Sequence, residues 1–156
     1  MFYPFRKSGN PTYAFTRQSG PTPSGSTGPS AGPGGSGYYY FAETSSPRSL
    51  GDLFTLSYNG SACAASGQVI STVAFQYHMY GETMGTLSLV DASGAARWSL
   101  SGQQGDQWQA ASVALYAPFL QFEYVRGSSW TGDAAIAQVT LSRGATHLLI
   151  STKILF

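Results

Sequence analysis

Residues 68–80, which read QVISTVAFQYHMY, decide the fold class. Side chains of two sets alternate through this stretch. One set comprises Val69, Ser71, Val73, Phe75, Tyr77 and Met79, and the other comprises Ile70, Thr72, Ala74, Gln76, His78 and Tyr80. A period of two, rich in β-branched and aromatic residues, is typical of a β-strand, because successive side chains of a strand point to opposite faces. The stretch is therefore predicted to form a long strand.

Alternation of the same kind recurs through the rest of the chain. It predicts strands over Gly85–Val90, Ala96–Leu100, Gln109–Tyr116, Phe119–Val125, Ala135–Arg143 and His147–Leu155. The turn-rich segment 91–95 has the length of a hairpin connection between the first two of these. Helical periodicity is missing, and 19 glycines punctuate the segments. This spacing indicates an all-β protein, an antiparallel jelly-roll β-sandwich.

Composition excludes several classes of protein. The 156 residues suit one domain, and 42% hydrophobic residues with 10% charged residues exclude a disordered chain. The net charge is +1 and the basic residues are scattered, so nucleic-acid binding is not expected. No apolar run approaches the roughly 20 residues of a membrane span.

Residues 19–37 stand apart, because they consist only of Ser, Gly, Pro, Thr and Ala. Gly and Pro cannot propagate a helix or a central strand, so this segment is predicted to be a long surface loop that joins a first strand to the main body. The sandwich is expected to span residues 1–146, with an apolar C-terminal strand or docking tail at 147–156.

Catalytic motifs are not found. The seven acids lie in unrelated segments, His78 and Glu82 are separated by a strand end, and Ser61-Ala62-Cys63 has no nucleophile-elbow pattern. No paired-cysteine or EF-hand metal signature occurs. The single cysteine, Cys63, excludes an intrachain disulfide. We therefore expect no enzyme activity.

Candidate binding residues lie in segments expected to be exposed loops, around Glu82, 104–108 and 128–132. The set is Glu82, Gln104, Asp106, Trp108, Trp130 and Asp133. Asp106 and Asp133 each follow a glycine, a pattern that favours turn capping over cation binding. Trp98, Trp108 and Trp130 are expected in the core or rim more than in a sugar-stacking platform. Aromatic residues at 38–41 indicate a contact patch.

Several ordered motifs resemble those of MAM domains, the adhesion modules of meprins, neuropilins and receptor tyrosine phosphatases. Residues 75–81 (FQYHMYG) and 84–87 (MGTL) resemble the family's central strand pair, and residues 101–108 (SGQQGDQW) are similar to its "SGxQGDxW" segment. Residues 122–127 (FEYVRG) and 130–133 (WTGD) resemble "FEGVRG…YTGD", and GSGYY at 35–39 follows a similar loop. The likeness covers about residues 13–144. It implies a jelly-roll sandwich with a role in protein–protein adhesion.

The departures from the family pattern are also informative. The family's disulfide-bonded cysteine before the central strand would fall at Thr72, and its partner would fall at about Thr146. The acidic pair after "GDIAL" is replaced by Ala137-Gln138, and the first-loop Asp-His-Thr is absent. The loss of the cysteine pair favours folding in a reducing compartment. The loss of the acidic pair and of the Asp-His-Thr argues against the calcium or sodium ion that the resemblance would bring, so no cofactor is expected.

Apolar side chains crowd both termini. They are Phe2, Tyr3 and Phe5 at one end and Leu148, Leu149, Ile154 and Phe156 at the other. The C-terminal segment either replaces an edge strand of this domain or docks on a neighbouring subunit by strand addition. A homo-oligomer or lattice of structural subunits is predicted, with host surface glycan or protein as a further partner.

Two functions follow from these patterns. With no secretory signal in the sequence, the first is a structural component of the virion surface: a capsid decoration, fibre or tail protein for host attachment. The alternative is an extracellular recognition domain at the cell surface, part of a larger receptor or secreted protein.

Overall fold

A computed structural model describes residues 12–145, and these residues form two five-stranded sheets. The strands are β1 (Thr12–Ala14), β2 (Thr16–Ser19), β3 (Tyr38–Phe41), β4 (Leu53–Asn59), β5 (Gln68–Met79), β6 (Thr86–Asp91), β7 (Ala96–Ser101), β8 (Gly105–Ala117), β9 (Phe119–Val125) and β10 (Ala134–Ala145). A 3-10 turn (Pro33–Gly35) and one helical turn (Ser61–Ala64) interrupt them. The predicted β-sandwich is confirmed.

The first sheet has the strand order β1-β4-β9-β6-β7 and the second has the order β2-β3-β10-β5-β8. Strand pairing is antiparallel except between β1 and β4. Strands of the first sheet and strands of the second sheet alternate along much of the chain. Each sheet buries one face against the other, as in a jelly roll. Ten strands in two layers thus enclose one main core.

The longest predicted strand behaves as its alternation indicates. Val73, Phe75 and Tyr77 of β5 are buried in the core between the sheets. Phe75 is central, because its ring centroid lies 4.9 Å from that of Phe122 on β9 and 5.1 Å from that of Trp98 on β7. Burying an aromatic side chain of this kind stabilises a fold by roughly 2–3 kcal/mol, so this stack is a major part of the core.

The N-terminal strands form one run that crosses from the first sheet to the second. β1 pairs with β4 from Thr12 to Ala14, and β2 pairs with β3 from Thr16 to Ser19. Phe15, between them, is buried in the main core against Phe54. The single buried residue at the crossing therefore joins the edges of both sheets.

The Gly- and Pro-rich segment connects β2 to β3, and it packs on the outer face of the second sheet. The indole N–H of Trp108 donates to the carbonyl of Ala31 at 2.8 Å, and the hydroxyl of Tyr39 donates to that of Gly20 at 2.7 Å. Trp108 packs beside a second buried cluster of Tyr39, Phe41, Ala135 and Ala137. Burial raises the pKa of the Tyr39 hydroxyl to about 12.

The strand boundaries differ from the predictions in a few places. β9 matches the prediction, β8 begins four residues earlier, and β4 is a strand that alternation did not single out. Thr72 lies opposite Ser142 in the register of β5 and β10. The predicted strand His147–Leu155, Thr146, the tail boundary at 147 and the apolar residues of both termini lie outside the described residues.

Candidate functional site

Four loops meet at one end of the sandwich, here called the loop end. They are residues 22–29, 80–85, 102–104 and 126–133. Backbone hydrogen bonds tie them together: the amide of Thr83 donates to the carbonyl of Thr131 at 3.0 Å, and that of Gly28 donates to Tyr80 at 2.9 Å. The amide of Gln104 donates to Met79 at 2.7 Å. These contacts hold the four loops in one arrangement.

Glycine permits the closest of these approaches. A side chain at Gly85 would collide with the carbonyl oxygen of Val125 and the amide nitrogen of Gly127, and one at Gly127 would collide with the carbonyl of Thr83. The obstructing atoms are backbone, so they cannot move aside. Loops 80–85 and 126–133 can therefore touch only because these positions lack a Cβ.

A buried carboxylate lies beneath the loops. Asp133 is fully buried, and its Oδ1 accepts hydrogen bonds from the Thr44 amide at 2.9 Å and the Thr44 hydroxyl at 2.8 Å. The amide of Asp133 donates to the hydroxyl oxygen of Thr27 at 2.8 Å, which links it to the long loop. Desolvation raises the pKa of the Asp133 carboxyl to about 6, against the opposing hydrogen bonds from Thr44.

Tyr124 and Arg126 complete this buried polar layer. The Tyr124 hydroxyl accepts from the Gly85 amide at 2.7 Å and donates to the Gly132 carbonyl, and burial raises its pKa. The Nε of Arg126 donates to the carbonyl of Thr44 at 2.8 Å. Strands β9 and β10 and the segment before β4 are thus fastened to one another below the surface.

A second ionisable pair lies on the outer face of the second sheet. The Nε2 atom of His78 lies 3.2 Å from Oδ1 of Asp106, and the His78 ring packs against Trp108 with centroids 5.4 Å apart. Desolvation lowers the pKa of His78, although the Asp106 carboxylate opposes this shift. Because His78 is only 2% exposed, its ring is not accessible to a substrate. The contact with Asp106 links β5 to the start of β8.

The predicted binding residues divide into exposed and buried groups. Glu82 and Asp106 are exposed, and Trp130 is 47% exposed on the 126–133 loop. Trp108 and Gln104 are half-buried and bond to neighbouring loop carbonyls, and complete burial removes Asp133 from any surface that a partner could contact. Asp133 instead anchors Thr44, which is 89 residues away in sequence.

The tryptophans do not form one platform. Trp98 packs against Phe75 and Tyr77 between the sheets, whereas Trp108 lies on the opposite face of the second sheet. Trp130 is exposed at the loop end. Tyr38 is 59% exposed and Tyr40 is 39% exposed, so the segment 38–41 does expose aromatic surface.

Sequence reasoning missed the residues that organise this end: Thr27, Thr44, Tyr124, Arg126 and the partnership of His78 with Asp106. The last depends on the pairing of Met79 with Gly105, which brings together residues 28 positions apart. The signal available in the sequence was the GD pair at 105–106 beside a long strand. It does not specify which strand becomes the neighbour.

A shallow cleft of about 370 Å³ opens between the long loop and the first strand residues of β8. Its walls are residues 21–22 and 24–30, with Tyr80 and Asp106 opposite. The lining offers hydroxyl groups and one exposed carboxylate, so it suits polar contacts rather than an apolar ligand.

The calcium or sodium ion implied by the family resemblance does not fit the residues present. Oδ2 of Asp133 is buried without a hydrogen-bond partner, but Oδ1 already accepts two bonds and the Thr44 carbonyl is bonded to Arg126. Calcium takes six to eight oxygen ligands. Across residues 12–145 no three His, Cys, Asp or Glu residues are grouped to hold a metal.

Fold and loop end together define a β-sandwich module that presents loops from a rigid scaffold. The family model "MAM domain, meprin/A5/mu" matches residues 6–145, and the chain belongs to this family. The resemblance carried by the sequence motifs is therefore confirmed.

The curated relatives are longer proteins. The chain is 41% identical over 150 residues to the rat MAM domain-containing glycosylphosphatidylinositol anchor protein 1, a match that covers 85% of this chain and 15% of that protein. It is 36% identical over 145 residues to the mouse anchor protein 2, covering 83% of this chain and 15% of that protein. The chain thus spans about 15% of the length of these relatives.

Among solved structures, the K2 cleaved adhesin domain of Lys-gingipain has a similar fold. Its TM-score is 0.55 at 11% identity, and the match covers 83% of each chain. At this identity the likeness concerns the fold alone.

Nothing in these comparisons supports the virion interpretation, and the relatives favour the alternative, a domain of the adhesion type. Helices that could cross a membrane are not found between residues 12 and 145. The absence of enzyme activity remains a prediction.

Proposed function

We propose that this chain is an extracellular recognition domain of a larger cell-surface or secreted protein, and that it acts by non-enzymatic contacts with a partner protein. Membership of the MAM family carries the proposal, because the chain matches cell-surface anchor proteins over most of its own length and a small part of theirs.

The loop end is the proposed contact surface. Loops on a rigid sandwich are the usual place for binding residues. Here the scaffold beneath is locked by Asp133, Tyr124 and Arg126, while Trp130 and Glu82 face outward. Trp130 is the expected anchor, because exposed tryptophans are frequent hot spots of protein interfaces.

A binding assay with matched variants tests the assignment. Tetramers of the fluorescently labelled full chain are titrated onto cultured animal cells, with Trp130→Ala and Tyr116→Ala prepared alongside. Tyr116 is a matched control, because it is a 69% exposed aromatic near the far end of β8. Trp130→Ala should weaken binding about thirty-fold, equivalent to about 2 kcal/mol, and Tyr116→Ala should leave it unchanged.

Treatment of the cells distinguishes the class of partner. Prior trypsin digestion should abolish binding, whereas removal of glycans should not. If Trp130→Ala and Tyr116→Ala weaken binding equally, the loop end is not the contact surface. If binding survives trypsin digestion, the partner is not a protein. Immunogold labelling confined to virus particles would restore the virion interpretation.

A further inference from the structure

An acceptor sequence for N-linked glycosylation lies at the end of β4. Asn59-Gly60-Ser61 fits the pattern Asn-x-Ser or Asn-x-Thr, in which the middle residue is anything except proline. The sequence holds one other asparagine, in Asn10-Pro11-Thr12, where proline occupies the middle position. Asn59 is therefore the one asparagine of this sequence at which the modification can occur.

The fold presents both ends of this tripeptide to solvent. Asn59 is the last residue of β4, and Ser61 begins the short helical turn that follows it. Both residues are exposed, whereas Gly60 between them is buried. An acceptor asparagine needs a surface position of this kind, because the attached oligosaccharide is bulky and hydrophilic.

Backbone contacts hold the tripeptide in place. The amide of Gly60 donates to the carbonyl of Pro118 at 2.7 Å, and a side chain at position 60 would lie 2.8 Å from that oxygen. The middle residue therefore packs inward. The amide of Ser61 donates to Oδ1 of Asn59 at 3.0 Å. This bond engages the oxygen of the side-chain amide and not the nitrogen, which is the atom that carries the sugar.

Asn59 lies at the end of the sandwich opposite the loop end. β4 pairs with β9, with Leu53 beside Val125 and Asn59 beside Phe119. Val125 directly precedes the loop 126–133, and the strand from Leu53 to Asn59 is about 20 Å long. An oligosaccharide at Asn59 would therefore leave the loop end free for a partner.

We propose that Asn59 carries an N-linked oligosaccharide. This inference rests on the proposed extracellular function, because the sugar donor and its transferase lie in the secretory pathway. In the transfer, Nδ2 of Asn59 attacks the anomeric carbon of a lipid-linked oligosaccharide diphosphate. A carbon–nitrogen bond replaces the bond between that carbon and the phosphate oxygen, the lipid diphosphate leaves, and the nitrogen gives up one proton to a base of the transferase.

Secretion of the full chain from cultured animal cells, behind a cleavable leader, tests the assignment. Peptide N-glycosidase releases the sugar and converts the asparagine into aspartate, so it should increase the electrophoretic mobility of nearly all of the secreted chain. The same digestion in heavy-oxygen water should place the label at position 59 in peptide mass spectra, and not at position 10. An unmodified Asn59 in the secreted chain would overturn the proposal.

Variants of Ser61 separate the acceptor pattern from an effect on folding. Ser61→Thr preserves the pattern and should retain the mobility shift, whereas Ser61→Ala and Asn59→Gln should lose it. Ser57→Ala is the matched control, because Ser57 is an exposed serine of the same strand outside the acceptor sequence. Cell lysate and medium are both analysed, so that chain that is not secreted is also counted. A shift that persists in Ser61→Ala, or one that is lost in Ser57→Ala, would contradict the assignment.

A further readout distinguishes the failure of this inference from the failure of the proposed function. Immunoprecipitation of the native protein from surface-biotinylated cells of its source should recover a glycosidase-sensitive chain. A surface chain without sugar at Asn59 would overturn the inference alone. A sugar-bearing chain that does not bind the cells of the loop-end assay would overturn the proposed function alone.

Discussion

Replacement of Asp133 by Asn should change how the stability of the domain depends on pH. Asp133 is buried between Thr44, Glu43 and Arg126, and its folded-state pKa of about 6 lies above the ordinary 3.8. The folded protein therefore holds this proton more tightly than the unfolded chain. Its stabilising effect is complete below about pH 4 and is lost as the pH rises through about 6.

The size of the effect follows from the pKa difference. About two pKa units correspond to about 3 kcal/mol. An asparagine side chain in place of Asp133 resembles the protonated acid, since its amide oxygen can still accept both hydrogen bonds from Thr44. The two proteins should therefore have similar stability at pH 4, and Asp133→Asn should be more stable at pH 7 by up to about 3 kcal/mol.

Urea unfolding at pH 4, 5, 6 and 7, followed by tryptophan fluorescence, measures this difference. Asp91→Asn is the control. Hydrogen bonds, above all from the Ser93 hydroxyl, lower the pKa of Asp91 to about 2, so Asp91 is ionised in both states between pH 5 and 7. The difference between that variant and the wild type should be constant across the window. A constant difference for Asp133→Asn as well would refute the reasoning.

Three further changes have defined outcomes. Burial lowers the pKa of His78, so this residue should contribute a loss of stability as the pH falls below about 6.5, opposite in sign to the gain from Asp133, and His78→Gln should lack the contribution; equal acid sensitivity of both proteins in urea titrations would contradict the assignment. Trp108→Phe removes the hydrogen bond to Ala31, which should cost about 1 kcal/mol and speed proteolysis within residues 20–37, whereas Trp130→Phe should be cleaved at the wild-type rate. Gly85→Ala should destabilise by about 2 kcal/mol or more in thermal unfolding, because the added Cβ meets backbone atoms, while Gly25→Ala, which has open space around it, should have little effect.

Local pattern explains why some of the fold is predictable from sequence. β5 and β9 are recognisable because the alternation of apolar and polar side chains is a property of the strand itself. The buried face, which carries Val73, Phe75 and Phe122, can therefore be assigned without knowledge of the neighbouring strands. β4 is harder to recognise because its two buried residues, Leu53 and Phe54, are consecutive and its last three residues are exposed.

The buried part of the site could not be predicted for a different reason. Asp133 looks like a loop residue, and its partner Thr44 is 89 positions away. Only the pairing of β3 with β10 brings the two segments together. The glycine before it predicted turn capping for Asp133, whereas its carboxylate accepts hydrogen bonds from Thr44. The partner of the carboxylate is a consequence of topology, which a single sequence does not encode in any local signal.

The crossing of residues 12–19 from one sheet to the other has a mechanical consequence. A pull on the chain before Thr12 acts along β1, parallel to β4, so the hydrogen bonds of that pair are loaded in shear and must yield together instead of one after another. Release of β1 would then transmit tension through buried Phe15 to β2 and the second sheet. Resistance to forced unfolding depends on the unfolding rate, and under such a pull the attachments of β1 to the first sheet and of β2 to the second would both have to break.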